Sequence, residues 1–444
     1  MAKNVIEKAP FKFNIELFNT LHDPKYVSKY KDVDSKGRYL YWDTFKWHLD
    51  EEDNPKKAWF ATKWARLSKK KEIQLVDKTE NHFLFCIPDI LQSRLYKILK
   101  LSGQGIVPVE SIKSQYLISS LITEEAISSS QLEGASTTRK VAKEMLLSEK
   151  KPMNEDEEMI LNNYLLMKEL KNVKYSELSV DMILSFHSIA TRGNNYNGNI
   201  AGELRKTDDI IITDGVEDNI LHHPPEYKVL PKRLRLLCDF ANETHDGENG
   251  SIFIDPIIKA IILHFMIGYE HPFSDGNGRT ARALFYWYML KQGFDYFEYI
   301  SISKLLKKAP KQYGISYLYS EFDDNDLTYF IMYQTDIIMR AIKDLLEYLE
   351  EKSKIFTEIN LLLKDSKLSK KLNYVQKDVL KKSLKSPGRQ FKSDEIIIDY
   401  DVTANTARKY LNDLVKYKLL VQSKEGKHKV YIAPANLLEI IKAT

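Results

Sequence analysis

Cysteine is nearly missing from these 444 residues: Cys86 and Cys238 are the two, far apart in the chain. That excludes a disulfide framework or a structural zinc site built on thiolates, and makes a reducing compartment the default expectation. Long hydrophobic runs are missing as well. The longest, 257–269, is broken by Lys259 and His264, and the opening MAKNVIEKAPFKFN has no continuous apolar stretch. A soluble, cytoplasmic protein with no membrane partner is therefore expected. What is present is a globular composition: 43% apolar residues suffice for real cores, over a length of 444 residues that suits roughly two to four domains. The net charge of +4 is unevenly spread, since 366–444 holds 17 Lys/Arg against 8 Asp/Glu, or +9, leaving −5 for the rest. Only the tail is basic enough to suggest an anionic partner.

The first hundred residues read as a mixed unit. An aromatic-rich opening (Tyr39, Tyr41, Trp42, Phe45, Trp47) is followed by a helix over 58–67, then strands at 72–76 and 82–87 joined by the turn Asp77-Lys-Thr-Glu-Asn81. No site constellation falls here, so 1–105 is expected to be an α+β packing or docking module. From about Ile90 the apolar spacing turns helical and stays so, at 112–128, 136–147, 155–170, 180–191, 230–244, 256–270, 279–292 and 326–351. One interruption, 202–225, carries Ile210, Ile211 and Ile212, the turn Thr213-Asp-Gly215 and His222-His-Pro-Pro225, and reads as an extended flap. After a Lys/Ser-rich link at 364–371 comes a compact basic unit. Val375, Val379, Leu380 and Leu384 space one helix, Ser393-Asp-Glu395 opens a second, Asp401-Val-Thr403 turns, and Ala407, Leu411, Leu414 and Val415 space a third before a hairpin around Glu425-Gly426. That order is a winged helix-turn-helix. The fold class expected is thus mainly α, with 106–363 as a helical bundle and 364–444 as the winged helix.

The chemistry gathers in His271-Pro-Phe-Ser-Asp-Gly-Asn-Gly-Arg-Thr-Ala-Arg282. Asp255 and Pro256 open the apolar helix before it, and Pro272 disfavours helical geometry at His271 and so ends that helix. In Asp275-Gly-Asn-Gly278 the glycines allow positive φ and let successive N–H groups point into one concavity ahead of a new helix, which makes an anion nest at a positive helix end. Arg279 and Arg282, three apart, share a helix face. Asp275 supplies a hard oxygen where a Mg²⁺ on phosphates would sit, and His271 is placed to act as a general base.

This string resembles in full the HxFx(D/E)GNGRxxR signature of the Fic domain, in His271, Phe273, Asp275, Gly276, Asn277, Gly278, Arg279 and Arg282. The resemblance implies a protein adenylyltransferase that moves AMP from ATP to a hydroxyl of a target protein, or of itself, with Mg²⁺ held by Asp275. His271 would be the base and Phe273 would pack under the loop. Asn277 and the neighbouring amides, over Asp275–Arg282 including Thr280 and Ala281, would bind the phosphates, with Arg279 and Arg282 at the outer ones. The flap, with Arg205, Ile211 and Ile212, would hold the target as an added strand, and Tyr313 would lie near the base. Ser129-Ser-Gln-Leu-Glu-Gly134 is similar to the family's inhibitory motif (S/T)xxxE(G/N), within a helix near 123–134. There Glu133 would pair with Arg282 and block the γ-phosphate, Ser129 and Gly134 completing the motif. Read alone, Ser130-x-x-Glu133 is also a capping-box pattern at a helix start.

Two other functions compete. His222, His223, His264, His271 and Asp275 prompt a metal-dependent phosphohydrolase, although no HD doublet joins them. A DNA-binding regulator would use Asn405, Arg408, Lys409, Lys416 and Lys418 on and after the third C-terminal helix, with Lys424, Lys427 and Lys429 on the wing. The partners expected are accordingly a protein target with a Ser, Thr or Tyr hydroxyl, DNA or a protein on the winged helix, and a homodimer left open.

Overall fold

The helix α10 (Pro256–Glu270) is the axis of the molecule. Asp255 caps it by accepting the Ile257 N–H at 2.8 Å, Pro256 occupies its first position, and the isoleucines that cover every face are all buried. It packs along α11 (Asn277–Lys291), buried over nearly its whole length around Trp287. Each large apolar side chain that this pair takes from water stabilises the fold by about 1.5–3 kcal/mol. The computed structural model describes residues 6–10, 15–103, 115–147, 150–193, 200–213, 220–362, 368, 371–425 and 428–443. Outside them lie the turn expected from Asp214 on, the start of the helix expected at 112–128, most of the 364–371 link, and Gly426 at the hairpin tip.

Around that axis stand α4 (Asp89–Gly103), α7 (Glu155–Asn172), α8 (Val180–Ala190), α9 (Leu230–Asn242) and the first half of α14 (Thr328–Leu362), all sharing one core. The fold is mainly helical. The mixed unit expected at 1–105 is divided between two cores. In the antiparallel hairpin β1 (Lys71–Val76) and β2 (His82–Phe85), Ile73, Leu75, Phe83 and Phe85 alternate inward and join the central core, with Phe83 edge-on to Phe265 at 5.7 Å. The earlier α1 (Pro24–Lys29), α2 (Trp42–Phe45) and α3 (Pro55–Leu67) form a separate aromatic core around Tyr41, Trp42 and Trp59, which rests on Leu318 and Tyr329.

Two helices bring the candidate control segment to the site. α5 (Gln115–Leu132) crosses α7, and α6 (Arg139–Leu147) lies on both. The flap is the short antiparallel pair β3 (Ile212–Thr213) and β4 (Ile220–His222). In the catalytic part of the chain, α12 (Ser303–Leu306) and α13 (Pro310–Phe322) had no segment of their own in the sequence expectations, and neither did the short α1, α2 and the last helix, Leu437–Ala443. The inward face of α13 is carried by Tyr313, Tyr317 and Leu318 and it contains Gly314, so aliphatic spacing gave no signal.

The C-terminal unit has its own core. α15 (Tyr374–Lys385), opened by a capping box of Asn373 and Gln376, is followed by β5 (Gln390–Phe391), α16 (Ser393–Tyr400), α17 (Ala404–Lys416), β6 (Val421–Glu425), β7 (His428–Ile432) and α18 (Leu437–Ala443). The strands make one antiparallel sheet in the order β5-β7-β6. Both cysteines are buried free thiols. Among the described residues no helix is long and apolar enough to cross a membrane.

Candidate active site

His271 ends α10 in the left-handed region, at φ 43° and ψ 56°, a conformation that histidine tolerates better than most non-glycine residues. Its N–H closes the helix on Ile267 O at 3.1 Å. Its ring Nδ1 lies 3.3 Å from Gly268 O. A carbonyl only accepts, so Nδ1 carries the proton and Nε2 keeps a lone pair. Burial pushes the imidazole down to about 4, helped by His222 and Arg205 and opposed by Gly268 O and Glu133, so the ring is neutral near pH 7.

Beyond it, Gly276 turns the chain at φ 80° and α11 begins. A Cβ at Gly276 would meet Thr191 Cγ2 at 2.5 Å, and one at Gly278 would meet Glu133 Oε1 at 2.3 Å. Gly276 is thus required by its φ and by the close approach of Thr191, whereas at Gly278 the near atoms are the movable ends of the Glu133 and Arg282 side chains.

Several side chains of the string serve the loop itself. The Asn277 amide donates to Phe273 O at 2.8 Å and accepts the Phe273 N–H at 3.0 Å, closing the loop on itself. Arg279 is buried, donating to Ala190 O at 2.6 Å and to Asp275 Oδ2 at 2.8 Å. These bonds make Asn277 and Arg279 braces of the loop, while Arg279 Nε is buried with no hydrogen-bond partner among the described residues. Thr280 bonds Gly276 O and is fully buried, as is Ala281. Asp275 keeps a third of its side chain exposed (33%) while its Oδ2 accepts from Arg279, so the carboxylate is fixed and partly open to solvent.

Arg282 is different. Its Nη2 donates to Glu133 Oε1 at 2.8 Å and its Nε to Ser129 Oγ at 2.9 Å, while Nη1 is buried with no hydrogen-bond partner among the described residues. Ser130 sits in the last turn of α5 and donates back to Ala126 O, so the capping-box pattern is not at a helix start. Gly134 at φ 105° ends that helix.

Arg205 is buried rather than offered to a target. Its guanidinium donates to His271 O (3.0 Å), Thr207 O (2.7 Å), Asp208 Oδ1 (2.8 Å) and Pro225 O, pinning both ends of the flap to the candidate base. Ile211 and Ile220 are exposed on that flap and Ile212 is half-buried. The Tyr313 hydroxyl bonds His264 Nε2 at 2.7 Å rather than His271. His264 is fully buried and pushed down to about 3 by burial and by Arg282, so it is a neutral core residue. His222 is bonded to Glu321 and Tyr269 O. Among the described residues no three His, Cys, Asp or Glu gather as a metal site.

Sequence reasoning missed His187. Its ring stacks on Phe273 with centroids 3.7 Å apart, its Nδ1 accepts the Gly202 N–H at 3.0 Å, and its Nε2 donates to Asp275 O at 2.9 Å. One buried imidazole thereby ties α8, the base of the flap and the loop together. It lies 88 residues from Asp275, and only the helix pattern over 180–191 could have drawn attention to it.

Residues 177–289 match the family model described as Fic/DOC family. A stretch of 134 residues, 30% of this chain, is 34% identical to 22% of the Protein adenylyltransferase fic-1 of Caenorhabditis elegans. A further match, 32% identical over 112 residues, covers 23% of this chain and 23% of the Protein adenylyltransferase Fic of Nematostella vectensis. The chain thus spans less than a quarter of these curated relatives. In fold, it is similar to a Fic family protein from Desulfovibrio desulfuricans G20, with a TM-score of 0.50 at 15% identity, covering 78% of this chain and 95% of that one. With the loop geometry above, these matches establish that the chain carries a Fic/DOC-family domain at residues 177–289.

Proposed function

We propose that this protein is an adenylyltransferase that moves AMP from ATP to a Ser, Thr or Tyr hydroxyl of a target protein, or of itself, and that Glu133 restrains it. The observation that carries the reading is a neutral imidazole, His271, with its Nε2 lone pair at the edge of a glycine-built loop capping a buried helix. The adenylyltransferase names of the relatives support it. The target hydroxyl oxygen attacks the α-phosphorus, its proton passes to His271 Nε2, and the bond to the pyrophosphate oxygen breaks. Loop amides and the α11 N-terminus hold the α- and β-phosphates. The partly exposed Asp275 carboxylate, oriented by Arg279, fits one ligand position of Mg²⁺, which when bound would neutralise charge building on the leaving pyrophosphate. Arg282 would take the outer phosphate, and Glu133 now occupies it. The exposed Ile211 and Ile220 suit an added target strand. Two buried free thiols fit a cytoplasmic setting.

The test is mass spectrometry of Glu133→Gly protein after ATP and Mg²⁺, with Glu133→Gly/His271→Ala as control. A gain of one AMP that vanishes in the control is expected; no gain with any added protein target, or a gain that persists in the control, sinks the proposal.

A second reading concerns the C-terminal unit, whose element order we read as a winged helix-turn-helix. Asn405, Arg408, Lys409 and Lys416 lie on the exposed face of α17, with Lys418, Lys424 and Lys429 beyond. That basic face suits phosphates of duplex DNA. A salt-dependent mobility shift of random duplex, lost in Arg408→Ala/Lys409→Ala protein, is expected; no shift even at low salt rejects DNA as the partner.

A further inference from the structure

The helix α6 stands between α5 and the C-terminal unit. Its apolar side, Ala142, Met145 and Leu146, packs on Ile127 of α5 and Ile160 of α7. Its polar edge carries Arg139 and Lys143, four apart and so on one face. Arg139 pairs with the buried Glu124 of α5. Lys143 donates to both carboxylate oxygens of Asp401, at 2.8 and 3.0 Å. Asp401 is the residue at φ 51° that ends α16, in the turn leading to α17. Its side chain is 2% exposed and that of Lys143 11%, so this is a buried ion pair bridging the two parts of the chain. Burial pushes the Asp401 carboxyl up, Lys143 and Arg139 hold it down, and Glu124 pushes it up again, which makes the four charges one electrostatic group.

At the next position along α5, Glu125 is buried and accepts from the Ser301 hydroxyl and from the N–H and hydroxyl of Ser303. Glu124, Ser301, Lys143 and Asp401 line a common cavity of about 560 Å³ at this junction. The helix α5 is therefore gripped on two sides at 124–125, about 12 Å of helix before it ends at Leu132, next to Glu133. Apolar packing alone would let α6 settle in several ways, whereas a buried, doubly bonded ion pair fixes one arrangement, because any other leaves a charge uncompensated.

We infer that the C-terminal unit is an intramolecular restraint: by holding α6 through Asp401–Lys143 it keeps α5 where Glu133 reaches Arg282, and release of that contact releases AMP transfer. This rests on the proposed inhibitory role of Glu133. The test uses the full chain as wild type, Glu133→Gly, Asp401→Ala, Asp401→Asn, the exchanged pair Lys143→Asp/Asp401→Lys, and Glu133→Gly/Asp401→Ala. Two quantities are read: self-labelling with ATP and Mg²⁺, and amide hydrogen exchange over 123–132. Asp401→Ala, and more mildly Asp401→Asn, should raise labelling several-fold, though less than Glu133→Gly, and speed exchange over 123–132. The exchanged pair should bring both back toward wild type, and Asp401→Ala should add nothing to Glu133→Gly. Unchanged exchange in both Asp401 variants overturns the restraint, as does unchanged labelling in a protein that Glu133→Gly activates. If Glu133→Gly itself fails to activate, the inhibitory role falls and the inference with it, while the exchange data still report whether Asp401 holds α5.

Discussion

The loop 271–282 and the segment 129–134 meet at Arg282 but are held by opposite means. The loop is braced from beneath by Asn277 on the Phe273 backbone, Arg279 on Ala190 O and Asp275, and His187 on Asp275 O. Moving it would orphan buried polar groups at about 1–3 kcal/mol each. The segment reaches Arg282 through one carboxylate and one serine, and the Glu133 side chain is 26% exposed against 2% for Arg282. On the function proposed above, this difference corresponds to a preformed site with a removable cover, the braced loop being the site and Glu133 on Arg282 the cover.

The hardest test of that contrast is His271→Ala. If the loop is preformed, losing the base alone should cut AMP transfer by about 10²–10⁴-fold. The fold should be unchanged by circular dichroism, because the His271 ring makes one long hydrogen bond. Labelling by radioactive ATP in the Glu133→Gly background reads it, and full activity without the imidazole would move the base elsewhere. Next in size is the cover. Hydrogen bonds to a charged group contribute about 1.5–3 kcal/mol, so Glu133→Gly should raise labelling by about 10–150-fold. Equal labelling with and without Glu133 would leave the segment as packing only.

The same contrast explains what could be read in advance. The helix α10 was expected at 256–270 and is found there, because its cap, proline and isoleucines are contiguous. The loop was legible for the same reason: its nest and both arginines fall within twelve residues. Long-range bonds were not legible. Spacing put Arg279 beside Arg282 and the resemblance put Asn277 on the phosphates, and neither signalled the bonds that these side chains also make to the loop backbone, Ala190 O and Asp275. Arg205 looked like a flap residue and proved to be a pin on the His271 carbonyl. The helix α13 hid behind tyrosines, and the mixed unit at 1–105 divided because the alternation in β1 and β2 aims their apolar face at α10. Periodicity reports which face is apolar, and it is silent on what meets that face.

His187 sharpens the loop side. His187→Phe keeps an aromatic ring on Phe273 but removes partners of the Gly202 N–H and Asp275 O. Two buried groups left unpaired at about 1–3 kcal/mol each should lower stability by about 2–6 kcal/mol in urea unfolding. Activity should fall by about tenfold through the displaced Asp275 loop, as a 1.4 kcal/mol loss of positioning would give. Glu133→Gly should not restore it, since the damage lies beneath the loop and not in its cover.

The smallest expected effect concerns pH and is informative because it is small. An ordinary imidazole near 6.5 that must be neutral to act would lose about 25-fold of its activity between pH 7 and pH 5. Burial holds His271 down to about 4, so its neutral form persists, and Glu133→Gly protein should lose less than about twofold over that span. Stability carries the same sign. The folded protein binds a proton at His271 less readily than the unfolded chain does, so this group's contribution is present above about 6.5 and is lost as pH falls toward about 4. The fully buried His264, held down to about 3, adds to that loss. Labelling rates and urea midpoints measured together from pH 7 to 5 separate the two effects, with the rate nearly flat and the midpoint falling. A rate that halves near pH 6.5 would mean that the ring sits in water when it works, and that the loop is less finished than its braces imply.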